Sequence, residues 1–258
     1  MCELYGYTGN KAKQLNTDLT EFFSHSEAHP DGWGLALLGE NKHLIRKEQC
    51  AAHKSSELKR MLHHPIRAEK AIAHIRFATV GYDDYYNTHP FWSEDISGRA
   101  WIFAHNGTIF EGGEKLNSYL DCQKGSTDSE RIFLLLLDRV NHAIQEKGSA
   151  LNEDERFNIV DQLIRDISHH NKINLLIDDS SSFYVHTNEQ GTLFLRESKD
   201  GITFSTRPLS VSHWKPVPMM TTMAFQNGRF LKAAVPHPNQ YIPDEKAIAA
   251  LFLAYSGL

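Results

Sequence analysis

Cys2 stands directly behind the initiator methionine, in the opening Met1-Cys2-Glu3-Leu4. A small residue at the second position permits removal of that methionine, which would leave one residue with both a thiol and a free α-amine. Such a residue can be a nucleophile and its own general base, as a threonine activated by its N-terminal amine is. A cysteine can also occupy this position by chance, so the rest of the chain has to decide between the two interpretations.

A second candidate lies in the segment Ala71–Thr79, whose alternation is typical of a β-strand. His74 and Arg76 fall on one face of this strand, and Ala73 and Ile75 fall on the other. The segment is apolar enough to be buried, and a buried arginine requires an anionic partner. The planar fork of Arg76 could bind a ligand carboxylate with two parallel donors, or it could form a salt bridge within the chain. The sequence leaves both possibilities open.

The dipeptide Asn106-Gly107 follows a predicted strand, Arg99–His105. Asn-Gly after a strand is the strongest short signal for a tight hairpin turn, and the local sequence favours that interpretation. The functional alternative is an oxyanion hole. The asparagine would supply a side-chain N–H, and the glycine would let its backbone N–H come close to a substrate.

A fourth candidate, Asp128, lies at the start of a long helical pattern, in Thr127-Asp128-Ser129-Glu130. Thr127 and Glu130 have the spacing of a capping box, which explains both residues. Asp128 complements the helix dipole there, but its carboxylate could also bind an ammonium group. A carboxylate at this position and an arginine elsewhere could hold the two charged ends of a free amino acid.

The 15 histidines raise the question of a metal site. Two pairs are adjacent in sequence, His63-His64 and His169-His170, and adjacent side chains cannot share one face of a helix. Neither His-Glu-x-x-His nor Cys-x-x-Cys occurs. The sequence therefore predicts no metal site and no cofactor, with a histidine-based metallohydrolase kept as an alternative.

The composition of the 258-residue chain excludes several classes of protein. The net charge of −5 offers no basic surface for nucleic acid, and the longest apolar run, Ile132–Leu137, is too short to span a membrane. The N-terminus lacks the features of a signal peptide. The three cysteines, Cys2, Cys50 and Cys122, do not make a disulfide framework. A reducing, cytoplasmic location is therefore expected.

The predicted elements place a helical pair between two sets of strands. The long helices are expected at Asp128–Lys147 and Glu153–His170, and shorter ones after Asn16 and after Ser55. The strands are expected at Gly34–Leu38, Ala71–Thr79, Arg99–His105, Ile173–Asp178, Phe183–His186, Leu193–Arg196, Ile202–Ser205, Thr222–Phe225 and Phe230–Ala233. Gly81–Gly98 is expected to be a loop, and Asp244–Tyr255 a closing helix. This order predicts an α+β fold of stacked sheets with helices outside, in a single domain.

Taken in order, the motifs resemble those of one known family. They are Cys2, Asp31-Gly32-Trp33-Gly34, His74 through Gly81, Asn87-Thr88-His89-Pro90-Phe91, His105-Asn106-Gly107 and Thr127 through Glu130. This series resembles the class II glutamine amidotransferases of the N-terminal nucleophile hydrolase superfamily, and most of all their stand-alone bacterial branch. The resemblance implies a four-layer αββα sandwich of two mainly antiparallel sheets, as one glutamine amidotransferase domain over residues 1–258.

The resemblance also implies a role for each candidate residue. The Cys2 thiolate would attack the side-chain amide of glutamine, or of a γ-glutamyl compound, with its α-amine as general base. Asn106 and Gly107 would stabilise the oxyanion, and water would then hydrolyse the thioester. Arg76 would bind the substrate carboxylate and Asp128 the ammonium group, while Thr79 and His89 would line the glutamine pocket. Ammonia would pass to water or to a separate synthase subunit.

A different class of function fits some of the same residues. A non-catalytic module that senses glutamine through Arg76 and Asp128 would bind glutamine saturably and release no ammonia. A histidine-based metallohydrolase would contain stoichiometric metal and lose its activity to a chelator. The presence of a nucleophile, an oxyanion pair and a two-ended clamp favours the amide hydrolase over both.

Overall fold

The computed structural model describes residues 2–39, 43–78, 84–210 and 213–244, with the single positions 246 and 249. The α-helices are α1 Asn16–Ser24, α2 Ser56–Leu62, α3 Asp128–Lys147 and α4 Glu153–Ile167. The strands are β1 Glu3–Gln14, β2 Trp33–Leu38, β3 His43–Glu48, β4 Arg67–Ile75, β5 Phe91–Glu94, β6 Ala100–Thr108, β7 Lys172–Asp178, β8 Phe183–Thr187, β9 Phe194–Ser198, β10 Gly201–Ser205, β11 Lys215–Pro216, β12 Met223–Gln226 and β13 Arg229–Ala233. Short 3₁₀ segments lie at His25–Ala28, Ala52–Lys54, Tyr85–Asn87 and Gly113–Tyr119.

The strands form two antiparallel sheets. One sheet has the order β11-β9-β10-β1-β4-β2-β3, and the other has the order β13-β12-β8-β7-β6-β5. In the first sheet, Glu3 of β1 and Trp33 of β2 both pair with Ile75 of β4. The start of β1 therefore lies beside the end of β4. Cys2, just before β1, and Arg76, just after β4, lie at this end of the two strands.

The two sheets pack face to face. Their shared core contains Leu4 of β1, Ile72 of β4, Ala104 of β6, Leu176 of β7 and Phe204 of β10. A second core joins β6 and β7 to α3 and α4, and a third joins β1, β2 and β4 to α1 and α2. The layers are thus helix, sheet, sheet and helix, as the sequence predicted.

The long helices begin and end at residues whose side chains and backbones satisfy the helix ends. Thr127 caps α3 by accepting the backbone N–H of Glu130, and Gly148 ends it with a left-handed φ of 71°. Asn152 and Glu155 form a capping box on α4. Among the described residues, no helix combines the length and the apolarity needed to cross a lipid bilayer.

The prediction of a hairpin turn at Asn106-Gly107 is wrong. β6 continues through both residues to Thr108, with Asn106 paired to Asn174 and Gly107 paired to Ile173 of β7. A Cβ atom at position 107 would overlap the carbonyl oxygen of Lys172 and the ring of His105. The glycine is explained by the close approach of a strand that is distant in sequence, which a local turn signal cannot reveal.

Two predicted elements end earlier than expected. β4 stops at Ile75, so Arg76 lies just beyond the strand, although its backbone still bonds to Gly32 over 2.8 Å and to Asp31 over 3.1 Å. Helix α4 stops at Ile167 instead of His170, and the Ser168 hydroxyl donates back to the carbonyl of Ile164. This early stop leaves His169 and His170 in a turn.

Four strands were not predicted: β1, β3, β5 and the two-residue β11. β1 is buried on both faces from Glu3 to Gly9, so it lacks the alternation of a half-exposed strand. Leu176 and Phe183 pack closely against Gly6 and leave no room for a side chain there. β3 was not predicted either, and β5 lies inside the predicted loop Gly81–Gly98, where it pairs with β6. The predicted helix Asp244–Tyr255 falls almost wholly outside the described residues.

Candidate active site

Cys2 lies directly before β1 and beside the end of β4. Its side chain is half-buried. Its Sγ atom lies 3.4 Å from both the backbone nitrogen and the backbone oxygen of Phe77. The N–H of Phe77 donates to the sulfur, and the thiol can donate to the carbonyl, so the backbone of one residue sets the position of the thiol.

The surroundings of Cys2 favour the neutral thiol. Burial raises the pKa of the Cys2 thiol above its usual value, although the Phe77 N–H and the positive charge of Arg76 act in the opposite direction. The negative charge of Asp31 raises this pKa further. Because the thiolate is the nucleophilic form, a reaction at this sulfur needs a base within reach.

The thiol opens onto a cleft of about 400 Å³. Asn106 lies in the wall of the same cleft, together with Phe77, His29 and Lys172. Two candidates that are far apart in sequence, Cys2 and Asn106, are therefore brought together by the packing of one sheet on the other. The cleft is open, so a small substrate can reach the sulfur from outside.

Asn106 is one of the polar residues that line this cleft. The residue is 4% exposed, and its side-chain amide has two N–H donors. Gly107 follows Asn106 on β6. A side chain at position 107 would collide with the backbone of Lys172 on β7. Opposite Asn106, the Asn174 side chain accepts from Thr187 over 2.6 Å and donates to Thr192 over 3.1 Å. Side-chain hydrogen bonds therefore hold β7 at the point where it pairs with Asn106 of β6.

Arg76, the residue before Phe77, is buried near the Cys2 thiol. Its guanidinium Nη1 lies 3.4 Å from the carbonyl oxygen of Asp31. The carboxylate of Asp31 accepts the backbone N–H of Ala78 over 2.6 Å. The segment Asp31-Gly32 therefore holds the backbone on both sides of Phe77, and with it the residue that contacts the thiol.

Asp128 is buried at the first turn of α3. One carboxylate oxygen accepts the backbone N–H of Ile109 over 2.8 Å, and the other accepts that of Ser129 over 2.8 Å. The Ser129 hydroxyl lies 2.9 Å from Nδ1 of His105, the residue before Asn106. Burial lowers the pKa of His105, while the charge of Asp128 raises it. Asp128 is thus linked to the start of the Asn106-Gly107 segment.

His89 does not lie in the wall of the cleft beside Cys2. It is buried with its ring centroid 4.4 Å from that of His74 and 4.5 Å from that of Phe91. Among the residues that the structure describes, neither ring nitrogen of His89 has a hydrogen-bond partner. Burial lowers the pKa of His89 well below its usual value. Thr79, the other predicted pocket residue, lies outside the described residues.

An ionic cluster beside Cys2 was missed by the sequence analysis. Glu3, the next residue, is buried and pairs with Nδ1 of His25 over 2.8 Å and with Nε of Arg207 over 3.1 Å. His29 lies 3.7 Å from the same carboxylate. Lys172, in the cleft wall, pairs with Glu189 over 2.6 Å. These partners come from separate parts of the chain, so no local motif marks them.

Comparisons with known proteins identify the family of this chain. Residues 1–201 match the family model described as "Glutamine amidotransferases class-II". An uncharacterised protein of Methanocaldococcus jannaschii is 28% identical over 258 aligned residues, which cover 90% of this chain and 71% of that protein.

Two solved structures have the same fold at low sequence identity. A "predicted glutamine amidotransferase" of Pseudomonas aeruginosa has a TM-score of 0.65 and 20% identity, covering 90% of this chain and 100% of that one. The glutamine phosphoribosylpyrophosphate amidotransferase of B. subtilis has a TM-score of 0.69 and 17% identity, covering 93% of this chain and 50% of that one. Their likeness confirms the predicted α+β sandwich. Because the family model matches most of the sequence, this chain belongs to the class II glutamine amidotransferases, enzymes of glutamine amide transfer.

Proposed function

We propose that this chain hydrolyses the γ-amide of glutamine, or of a γ-glutamyl compound, through a thioester on Cys2. The observation that carries the proposal is the shared cleft, a cavity of about 400 Å³ that both Cys2 and Asn106 line. Family membership adds the reaction class, which is the transfer of the glutamine amide nitrogen.

In the proposed reaction, removal of Met1 frees the α-amine of Cys2. This amine takes the thiol proton, and the thiolate attacks the γ-carbonyl carbon. As the tetrahedral intermediate collapses, the C–N bond breaks and the ammonium proton moves to the leaving nitrogen. Water then attacks the thioester carbonyl carbon and gives its proton to the amine. The C–S bond breaks, glutamate leaves, and the amine returns the proton to the sulfur. Glutamate and ammonia, or an amine, are the products.

The raised pKa of Cys2 gives this base a necessary role. A free α-amine titrates near pH 8 (about 7.7–8.0), so a useful fraction is unprotonated at neutral pH. The base also belongs to the same residue as the nucleophile, which keeps the proton transfer short. Burial keeps most of the thiol protonated. The thiol can still react, because the amine takes its proton as the attack proceeds.

Asn106 and Gly107 are the proposed oxyanion donors. The side-chain N–H of Asn106 and the backbone N–H of Gly107 would point at the oxygen of the tetrahedral intermediate, where negative charge develops. One such donor typically lowers the barrier by about 3–4 kcal/mol. The pairing of β6 with β7 supports this role, because it fixes the backbone at Asn106 and Gly107. Donors that are already oriented need no rearrangement during the reaction.

The proposed substrate contacts are charged at both ends. Arg76, near the thiol, would bind the α-carboxylate, and Asp128 would bind the α-ammonium group. The Asp128 carboxylate accepts the backbone N–H groups of Ile109 and Ser129 and the Ser129 hydroxyl. Because a carboxylate has about four lone-pair sites, capacity remains for an ammonium donor. Thr79 is proposed as a further pocket residue on the strength of its motif alone. His89 belongs to such a motif as well, but its ring packs against His74 and Phe91 away from the cleft wall, which argues against a direct substrate contact.

The proposal extends to all of residues 1–258. Residues 1–258 would form one glutamine amidotransferase domain, which is supported by a family match that reaches residue 201 and by a solved neighbour whose full length is covered. Ammonia would be released to water or to a separate synthase subunit. A cytoplasmic location would keep Cys2 reduced.

The test is steady-state ammonia release from glutamine by the processed chain and by Cys2→Ala. We expect Cys2→Ala to abolish release, and the matched variants Cys50→Ala and Cys122→Ala to retain it. Unchanged release by Cys2→Ala would refute the proposal. Saturable glutamine binding without ammonia release in the wild-type chain would instead support a glutamine-sensing module.

A further inference from the structure

A cluster of metal-ligand residues lies outside the cleft. Glu111, His169 and His170 each offer one ligand atom, and these three atoms all lie within 4.8 Å of one another. Nδ1 of His169 is 3.8 Å from a carboxylate oxygen of Glu111, and the two imidazole centroids are 3.9 Å apart. We infer that these three residues form a binding site for a divalent transition metal of the zinc type.

The backbone explains how two adjacent histidines can converge. On a helix their side chains would diverge, which is why the sequence predicted no metal site. Helix α4 ends at Ile167, however, and His170 has a φ of 55°. This left-handed conformation is uncommon for a residue with a side chain. It turns the chain so that both rings lie on the side of Glu111.

The two segments that carry the ligands are fastened to each other by one buried side chain. Oδ1 of Asn171 accepts the backbone N–H groups of Phe110 and Glu111 over 2.6 and 2.9 Å. Nδ2 of Asn171 donates to the carbonyls of Glu111 and Ile167, both over 2.8 Å. The backbones of the ligand residues are therefore in place before any ion binds, which lowers the entropy lost on binding.

The ligand set selects the kind of ion. Two imidazoles and one carboxylate suit Zn²⁺, with Ni²⁺, Co²⁺ and Cu²⁺ as alternatives, whereas Ca²⁺ and Mg²⁺ prefer oxygen ligands. Zinc bonds of about 2.0–2.2 Å in a tetrahedron place ligand atoms about 3.4 Å apart. Rotation of exposed side chains is enough to reach that spacing, because the side chains of His169 and Glu111 are 67% and 60% exposed.

The site would be open at its fourth position. Glu111 and His169 also line a cavity of about 280 Å³, which leaves room for a water or a small ligand on the ion. Three protein ligands and one exchangeable position are the arrangement of zinc sites that bind small molecules. This inference is independent of the proposed hydrolysis at Cys2.

The experiment titrates Zn²⁺ into the full-length, tag-free, metal-stripped protein at pH 7.5 by calorimetry. The site variants are His169→Ala/His170→Ala and Glu111→Gln. The matched control is His63→Ala/His64→Ala, which removes the other adjacent pair of exposed histidines. All variants keep the three cysteines, so any zinc bound by thiols appears equally in each.

We expect one zinc ion per chain in the wild type and the control. The double histidine variant should lose this binding, and Glu111→Gln should weaken it at least tenfold, with unchanged circular dichroism. Bound Co²⁺ should give the visible absorption of a tetrahedral site in the same two proteins. Equal binding by the wild type and the double histidine variant, or an unchanged affinity in Glu111→Gln, would overturn the site.

Discussion

The sulfur of Cys2 lies 3.4 Å from the backbone nitrogen and 3.4 Å from the backbone oxygen of Phe77. This contact joins the start of β1 to the residue after Arg76. The same segment is held from the other side, where the Asp31 carboxylate accepts the N–H of Ala78. The position of the thiol and the position of Arg76 therefore depend on one short stretch of backbone. We expect substitutions in this stretch to affect the nucleophile and the substrate contact together.

Asn106→Ala should slow the chemical step and leave substrate binding nearly unchanged. The variant removes one donor to the oxyanion, which should lower kcat by about 10²–10³ with little change in KM. Steady-state ammonia release measures both constants, and Asn117→Ala, at an exposed position, is the matched control. A normal kcat in Asn106→Ala would exclude this side chain from the oxyanion hole.

Arg76→Gln should act mainly on binding of the substrate carboxylate. A hydrogen bond to a charged group contributes about 1.5–3 kcal/mol, so KM for glutamine should rise by about 10–150-fold. A glutamine analogue without its α-carboxylate provides the control. The wild type should discriminate strongly between the two substrates and Arg76→Gln should not; equal discrimination by both would show that Arg76 binds another group.

Gly107→Ala should destabilise the fold, because its Cβ would meet the Lys172 carbonyl and the His105 ring. Overpacking of this kind costs about 1–3 kcal/mol. Gly113→Ala is the matched control, since the nearest atom that its Cβ would meet among the described residues distant along the chain is Cγ2 of Ile109, at 3.8 Å. That control should change stability by less than about 1 kcal/mol. Urea unfolding measures both, and equal midpoints would contradict the close approach of β7.

The chain should lose stability as the pH falls below about 6.5. Burial lowers the pKa of His186 to about 3, with the nearby His237 adding to the effect. Between these values the unfolded chain binds a proton that the folded chain does not, so stability rises with pH. Each such histidine adds a slope of up to about 1.4 kcal/mol per pH unit.

Unfolding free energies between pH 7 and pH 4 test this expectation. The free energy of unfolding of His186→Gln should fall less steeply with decreasing pH than that of the wild type, because the variant lacks the imidazole that binds a proton on unfolding. His63→Gln, at an exposed position, should follow the wild type. Parallel curves for all three proteins would mean that His186 takes up its proton equally well in the folded state.

How far the sequence could predict the structure depended on whether a feature is local. The capping of α3 by Thr127 and its end at Lys147 follow from neighbouring residues, and both are confirmed. The error at Asn106-Gly107 arose because a local turn signal competed with pairing to Ile173, much later in the chain.

The ionic partners of Glu3 show the same limit more strongly. His25 and Arg207 reach its carboxylate only through the folded sheet, and no periodicity or spacing predicts such contacts. The convergence of His169 and His170 likewise depends on a left-handed residue after α4, where the helical pattern suggested a continuous helix. Of the residues that line the cleft, Cys2 and Asn106 stand in ordered motifs and could be singled out from the sequence, whereas Glu3 and Lys172 could not.

The nucleophilic role of Cys2 is tested most directly by intact-mass spectrometry and peptide mapping after incubation with a diazoketone analogue of glutamine. We expect the purified chain to lack Met1 and to gain one covalent adduct on Cys2, with no adduct in Cys2→Ala. An adduct confined to Cys50 or Cys122, or ammonia release by a chain that never gains an adduct on Cys2, would contradict the proposed mechanism.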